Sequence, residues 1–220
     1  MIIEKSTLSF LADLKSNNNR DWFLDNKSRY EKAKENFTDF VQDLIDGLSK
    51  YDRGLKGIEA RKCVFRINRD IRFSANKSPY KSNMGASFSA AGKNSHEAGY
   101  YIHLEGNSGF FAGGKWMPEA GQLSAIRQEI DYHTKEFKKI LAAKDFVSFY
   151  GELSSEDKLK TAPKGYPKDH PEVELLKLKS FIAVHDFKAK EMVGPEFLKT
   201  CITAGKAVIP LNSFLNKAIS

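Results

Sequence analysis

From Ser6 to about Tyr51 the hydrophobic residues recur every three or four positions. Leu8, Leu11 and Leu14 make a short stripe, and Tyr30, Ala33, Phe37, Val41, Leu44, Ile45 and Leu48 make a longer one. The spacing predicts amphipathic helices, divided at NNNRDWF by the turn and capping chemistry of Asn17 to Asn19, with Trp22 and Phe23 opening the next helical segment. YDRGLKG ends that pattern. From Cys63 the period becomes two: Phe65, Ile67, Ile71 and Phe73 alternate with Arg66, Asn68, Asp70 and Arg72, which predicts a strand from Val64 to Phe73 with one face on the core. Arg69 falls on the apolar side of that strand, so it must be paired, bulged or directed at a ligand.

Further strands are predicted at about Ser82 to Ala90, Gly99 to Glu105 and Gly109 to Gly113, with AAGKNSHEA as a turn-rich loop and EGNSG as a hairpin connection. Pro118 to Ala143 and Phe146 to Tyr150 return to helical spacing. APKGYPKDHP is loop, followed by a short helix near Glu172 to Lys177, an extended SFIAVHDF, and C-terminal helices interrupted at Pro210. Sequential strands with short links favour neighbours that run antiparallel, since parallel pairs need a long crossover. The fold class is therefore α+β: an antiparallel β-sheet meander packed by N-terminal, central and C-terminal helices, in one domain over residues 1–220.

Composition narrows the class. With 41% hydrophobic and 29% charged residues the chain reads as globular, and no window approaches the roughly 20 apolar residues of a membrane span. MIIEKSTLSF lacks the features of an export signal, so the expected location is cytoplasmic and no membrane partner is expected. Cys63 and Cys201 stand far apart without a CxxC companion and read as buried thiols. The formal charge of +7 favours anionic partners, through cations spread along the chain. Their one concentration is RINRDIRFSANKSPYK, with five cations and one carboxylate between Arg66 and Lys81.

Several separate stretches, FLADLKSNNNRDWFLDNKSRYE, RINRDIRFSANKSPYKSNMGA, GYYIHLEG, GGKWMP and LKTAPKGYPKDHPEVELLKLKSF, resemble the bacterial and fungal family known as domain of unknown function 2461. The resemblance runs from about Thr7 to the C-terminal helices. It implies an α+β domain filling the chain and brings no substrate, cofactor or catalytic residue with it.

The chemistry is therefore read from the residues. Arg66, Asp70 and Arg72 on one strand face make a ladder in which the carboxylate orients one guanidinium and leaves another available, and a guanidinium grips phosphate or carboxylate through two oxygens. Ser74, Lys77, Tyr80 and Lys81 extend this cradle, with Pro79 stiffening the backbone. Tyr101, His103 and Glu105 share a strand face and suit acid–base work, or a plain polar ladder; no local spacing fixes a third metal ligand, and no metal site is assigned. In GGKWMP, Trp116 either stacks on a ligand or plugs the core where a strand ends and a helix begins. Lys164, Lys168 and His170 could sit on a lid, and Arg20 could reach a site. GxSxG, GxxxxGK[ST], GxGxxG and HExxH motifs are absent from the sequence.

These features favour a pocket for a small anionic ligand carrying a phosphate or carboxylate, built by Arg66, Arg69, Asp70, Arg72, Lys77 and Lys81. Tyr80, Tyr101, His103 and Trp116 are further candidate ligand contacts. Nucleic-acid binding, with Phe73, Tyr80 and Tyr101 stacking on bases, is the alternative; a structural or interaction domain with internally paired arginines is the third reading. No cofactor, reaction or oligomeric state follows from the motifs.

Overall fold

The computed structural model of the protein describes residues 1–90, 92 and 95–220, so the loop expected at AAGKNSHEA lies partly outside the described residues. Near the N-terminus, α1 (Lys5–Ser16), α2 (Arg20–Asp25) and α3 (Lys27–Ser49) form where the stripes predicted them. Asn19 caps α2, its side chain accepting a hydrogen bond from the Trp22 amide at 3.0 Å. A 3-10 turn (Arg53–Leu55) and a short α4 (Ala60–Cys63) lead to the sheet.

The sheet is an antiparallel meander of four strands in chain order, β1 (Met84–Phe88), β2 (Gly99–Leu104), β3 (Ser108–Lys115) and β4 (Phe181–Lys188). Between β3 and β4 run α5 (Ala120–Tyr132), α6 (Thr134–Leu141), α7 (Lys144–Tyr150) and α8 (Val173–Leu176); α9 (Ala189–Met192) and α10 (Phe197–Ile219) close the chain. The combination is the α+β class that the two periodicities indicated.

Pairing register decides which side chains share a face. The rows Met84–Leu104–Gly109–Phe187, Ala86–Ile102–Phe111–His185 and Phe88–Tyr100–Gly113–Ala183 share one face. All but Gly109, Gly113 and His185 belong to the hydrophobic cluster, together with Phe37, Phe40 and Leu44 of α3 and Cys201, Val208 and Leu211 of α10. A Cβ at Gly113 would collide with the Val208 side chain, so glycine is what lets α10 lie this close to β3. The intervening rows, Gly85–His103–Phe110–Asp186 and Ser87–Tyr101–Ala112–Val184, occupy the opposite face. That second face floors the cleft described below.

Three sequence expectations are corrected. The predicted strand from Val64 to Phe73 does not form. The Phe65 amide donates to the Gly85 carbonyl at 2.9 Å, and the chain then leaves the sheet edge. Its further backbone partners lie on its own returning limb, with Arg69 N donating to Pro79 O at 2.9 Å and Lys81 N to Ile67 O at 2.8 Å. This self-bonded loop has no second layer to cover an apolar face, so only Ile67 is buried and Phe73 is 98% exposed. Pro210 does not interrupt the last helix; it is exposed on the solvent side of a continuous α10, where the amide hydrogen it lacks is least missed. Trp116 is not a core plug but 66% exposed. Cys63 and Cys201 are both buried, as read. Among the described residues no helix is long and apolar enough to cross a membrane.

Candidate functional site

The second sheet face forms the floor of a cleft of about 1080 Å³, at the upper end of the roughly 300–1,000 Å³ of ordinary ligand pockets. Tyr101, His103, Phe110, Ala112, Ile182, Val184 and Asp186 line it from β2, β3 and β4. Phe65 and Lys81 stand beyond the β1 edge, and Lys81 places its ammonium 5.4 Å above the Phe65 ring. The segment from Glu152 to Glu156 makes the wall beyond β4, where Ser154 N donates to Ile182 O at 2.8 Å. Ser95, Glu97, Lys115 and Trp116 belong to the end marked by Gly99 and Gly114. The His103 and Gly114 rows lie four residues apart along β3, about 13 Å, so the floor is elongated.

The lining alternates aromatic and polar surface. Phe65, Tyr101, Phe110 and Trp116 present ring faces or edges; Ser87, Ser89, Ser95, Ser154 and Ser155 supply hydroxyls. Among the described residues its charges run against those of the whole chain, with four carboxylates (Glu97, Glu152, Glu156, Asp186) and two ammonium groups (Lys81, Lys115) in the lining of a protein of net charge +7. Lys115 is only 9% exposed and donates to the His96 carbonyl at 2.6 Å, a carbonyl that also accepts from Gln122 Nε2 at 3.0 Å. Burial lowers the Lys115 pKa, while Glu119 and Glu97 oppose the shift.

Along β2, Tyr101, His103 and Glu105 form a chain of contacts. The Tyr101 hydroxyl is 3.0 Å from His103 Nδ1, and His103 Nε2 is 3.4 Å from Glu105 Oε1. Asn83 Nδ2, which can only donate, also reaches Nδ1 at 3.3 Å, so Nδ1 is an acceptor and the neutral ring carries its hydrogen on Nε2, toward Glu105. Phe110 stacks on the imidazole at 4.7 Å and an interplanar angle of 13°. Burial lowers the His103 pKa, against the raising effect of Glu105, and burial pushes the Tyr101 phenol up to about 12.

The residues chosen from sequence are divided between two places. Lys81, Tyr101, His103 and Trp116 line the cleft; Arg66, Arg69, Asp70 and Arg72 surround a shallow depression on the loop. Arg72 clasps Asp70 through Nε at 3.0 Å and Nη2 at 2.7 Å, which lowers the carboxyl pKa and raises that of the guanidinium. Arg69 donates to Ser78 O at 3.1 Å and Ser74 Oγ at 3.3 Å, and Lys77 donates to Ile71 O at 3.1 Å. Tyr80 is buried and stacks on Phe23 at 3.9 Å, its backbone held at both ends by the Asn18 amide. Arg66 is exposed.

The APKGYPKDHP loop is tied to its neighbours through His170. His170 Nε2 lies 3.0 Å from Asp131 Oδ1, its Nδ1 accepts from Glu172 N at 3.1 Å, and Lys164, Lys168 and His170 do not line the cleft. Arg20, at the start of α2, does not line it either. Among the described residues no group of three His, Cys, Asp or Glu side chains could hold a metal ion.

Sequence reasoning missed the wall from Glu152 to Glu156 and the lining roles of Phe110 and Lys115. Phe110 was visible as a neighbour of the hairpin turn, but its face depends on register. The wall is set by a fold contact with β4 that no local pattern encodes.

A family model described as conserved hypothetical protein (DUF2461) matches residues 6–214. No curated protein and no solved structure is significantly similar to the chain.

Proposed function

We propose that this chain, which belongs to the DUF2461 family, is a small-molecule-binding protein whose cleft takes a polyhydroxylated ligand of the saccharide type. One observation carries the reading: the cleft interleaves aromatic surface with hydroxyls and carboxylates, and among the described residues its lining holds more carboxylates than ammonium groups in a protein of positive net charge. A sugar ring has apolar C–H faces that pack on aromatic rings, and a rim of hydroxyls that donate to carboxylates and accept from serines, lysines and amides. Trp116 and Phe110 supply the first kind of surface; Asp186, Glu152, Glu156, Ser154 and Lys115 supply the second. An anion would meet more carboxylates than ammonium groups there, which moves the anionic-ligand reading away from the cleft to the loop around Arg66.

Trp116 provides the test. Of the two tryptophans, Trp22 is partly buried against Phe10, whereas Trp116 stands exposed on the cleft. Titration with malto-, cello- and chito-oligosaccharides should shift the emission of the parent protein and leave that of Trp116→Ala unchanged. No response to any saccharide, together with quenching by phosphate or benzoate, would instead place an anionic ligand in the cleft.

A further inference from the structure

The contacts of His103 leave its hydrogen-bonding roles in one arrangement. Asn83 Nδ2 and the Tyr101 hydroxyl both point at Nδ1, and the hydrogen on Nε2 faces Glu105. Tyr101 and His103 both line the cleft, and the His103 side chain is 17% exposed, with the Phe110 ring stacked on its imidazole. A buried phenol does not ionise readily by itself, so its oxygen can act as a base only if its own hydrogen leaves at the same time. Nδ1 is placed to accept that hydrogen, and Glu105 to stabilise the imidazolium that results.

We propose that Tyr101, His103 and Glu105 form an acid–base relay that removes a proton from a hydroxyl of the molecule held in the cleft. The proposal rests on the saccharide reading of the cleft and adds a reaction step to it. In the step, the ligand O–H bond breaks and its electron pair stays on the ligand oxygen. The proton passes to Tyr101 Oη, and the phenolic hydrogen passes from Oη to His103 Nδ1. The products are a ligand alkoxide and an imidazolium beside the Glu105 carboxylate, with total charge unchanged. The ligand class is thus an alcohol whose oxygen becomes a nucleophile.

The charged and titratable groups around His103 are Tyr101 and Glu105 on its own strand, Lys15 of α1 through Glu105 at 3.4 Å, and Asp186 in the same row of β4 beyond Phe110. Lys81 stands on the β1 side of the cleft. Acid pH protonates Nδ1 and stops the relay.

Benzenesulfonyl fluoride tests the transfer without a substrate. The Tyr101 oxygen bonds to sulfur, the S–F bond breaks, fluoride leaves, and the phenolic proton goes to His103. Labelling measured tyrosine by tyrosine in the full chain should modify Tyr101 about tenfold or more faster than the exposed Tyr132. The Tyr101 rate should fall as pH drops through the His103 titration. It should fall about tenfold or more in His103→Gln, and by a smaller factor in Glu105→Gln, whose partly exposed site tolerates the change. A Tyr101 rate no faster than that of Tyr132, or one indifferent to pH and to Glu105→Gln, overturns the relay whether or not His103→Gln folds. A Trp116 response to saccharides that persists in that case leaves the binding function standing. Conversely, His103-dependent labelling with a silent Trp116 keeps the activated tyrosine and removes the saccharide as its ligand.

Discussion

A Cβ added to Gly85 would lie 2.6 Å from the hydroxyl oxygen of Tyr101. The bare backbone of β1 is therefore what allows the phenol to lie across the sheet within reach of His103. Gly85→Ala should displace Tyr101, break its bond to His103, and cost about 1–3 kcal/mol, as overpacking of a fitted surface does. Urea unfolding reads the stability, and the chemical shift of His103 Nδ1 reads the lost bond.

The two titrations on this face act at opposite ends of the pH scale. His103 has a folded pKa below its ordinary 6.5, because burial disfavours the charged ring. Between those two values the unfolded chain binds more protons, so stability should fall as pH drops through 6.5 toward the folded value. His103→Gln should lack that part of the acid slope. Tyr101 has a folded pKa of about 12 against an ordinary 10.0, so stability should fall as pH rises from 10 toward 12, and Tyr101→Phe should remove that contribution. Thermal melts across both windows check the signs.

In the basic loop Arg69 and Arg72 should behave differently. Arg69 closes the loop on itself through Ser78 and Ser74, so Arg69→Ala should speed proteolytic nicking between residues 66 and 78 several-fold. Arg72 and Asp70 form an exposed pair near the chain surface, and Arg72→Ala should leave the melting temperature unchanged within error. Comparable nicking of the two variants would show that the Arg69 bonds do not hold the loop.

Helices α1, α3 and α5 and strands β1 to β4 were legible because each buries one side, and that leaves a period of 3.6 or 2 in the sequence. The same period misled at Val64 to Phe73. Alternation records only that side chains point both ways along extended chain, and a loop bonded to itself alternates without a core behind it. The Tyr101, His103 and Glu105 chain was visible as three residues on one strand face. Lys81 and Trp116 were also named, but not as neighbours of that chain, because the cleft is assembled from near residues 65, 81, 97, 115 and 154, which only the fold brings together. Trp116 shows the limit most directly: the residue type fits a core plug or a ligand platform, and its exposure in the fold removes the core plug.

The ligand proposed above should bind on the open sheet face and not on the arginine loop. Backbone amide shifts of the uniformly 15N-labelled protein, titrated separately with maltotetraose, cellotetraose, chitotetraose and phosphate, test it residue by residue. At least one saccharide should move the resonances of Tyr101, Ala112, Trp116, Ser154 and Ile182 and leave those from Arg66 to Arg72 in place. Shifts confined to Arg66 to Arg72 on adding phosphate, with the cleft resonances unmoved by every saccharide, would contradict it.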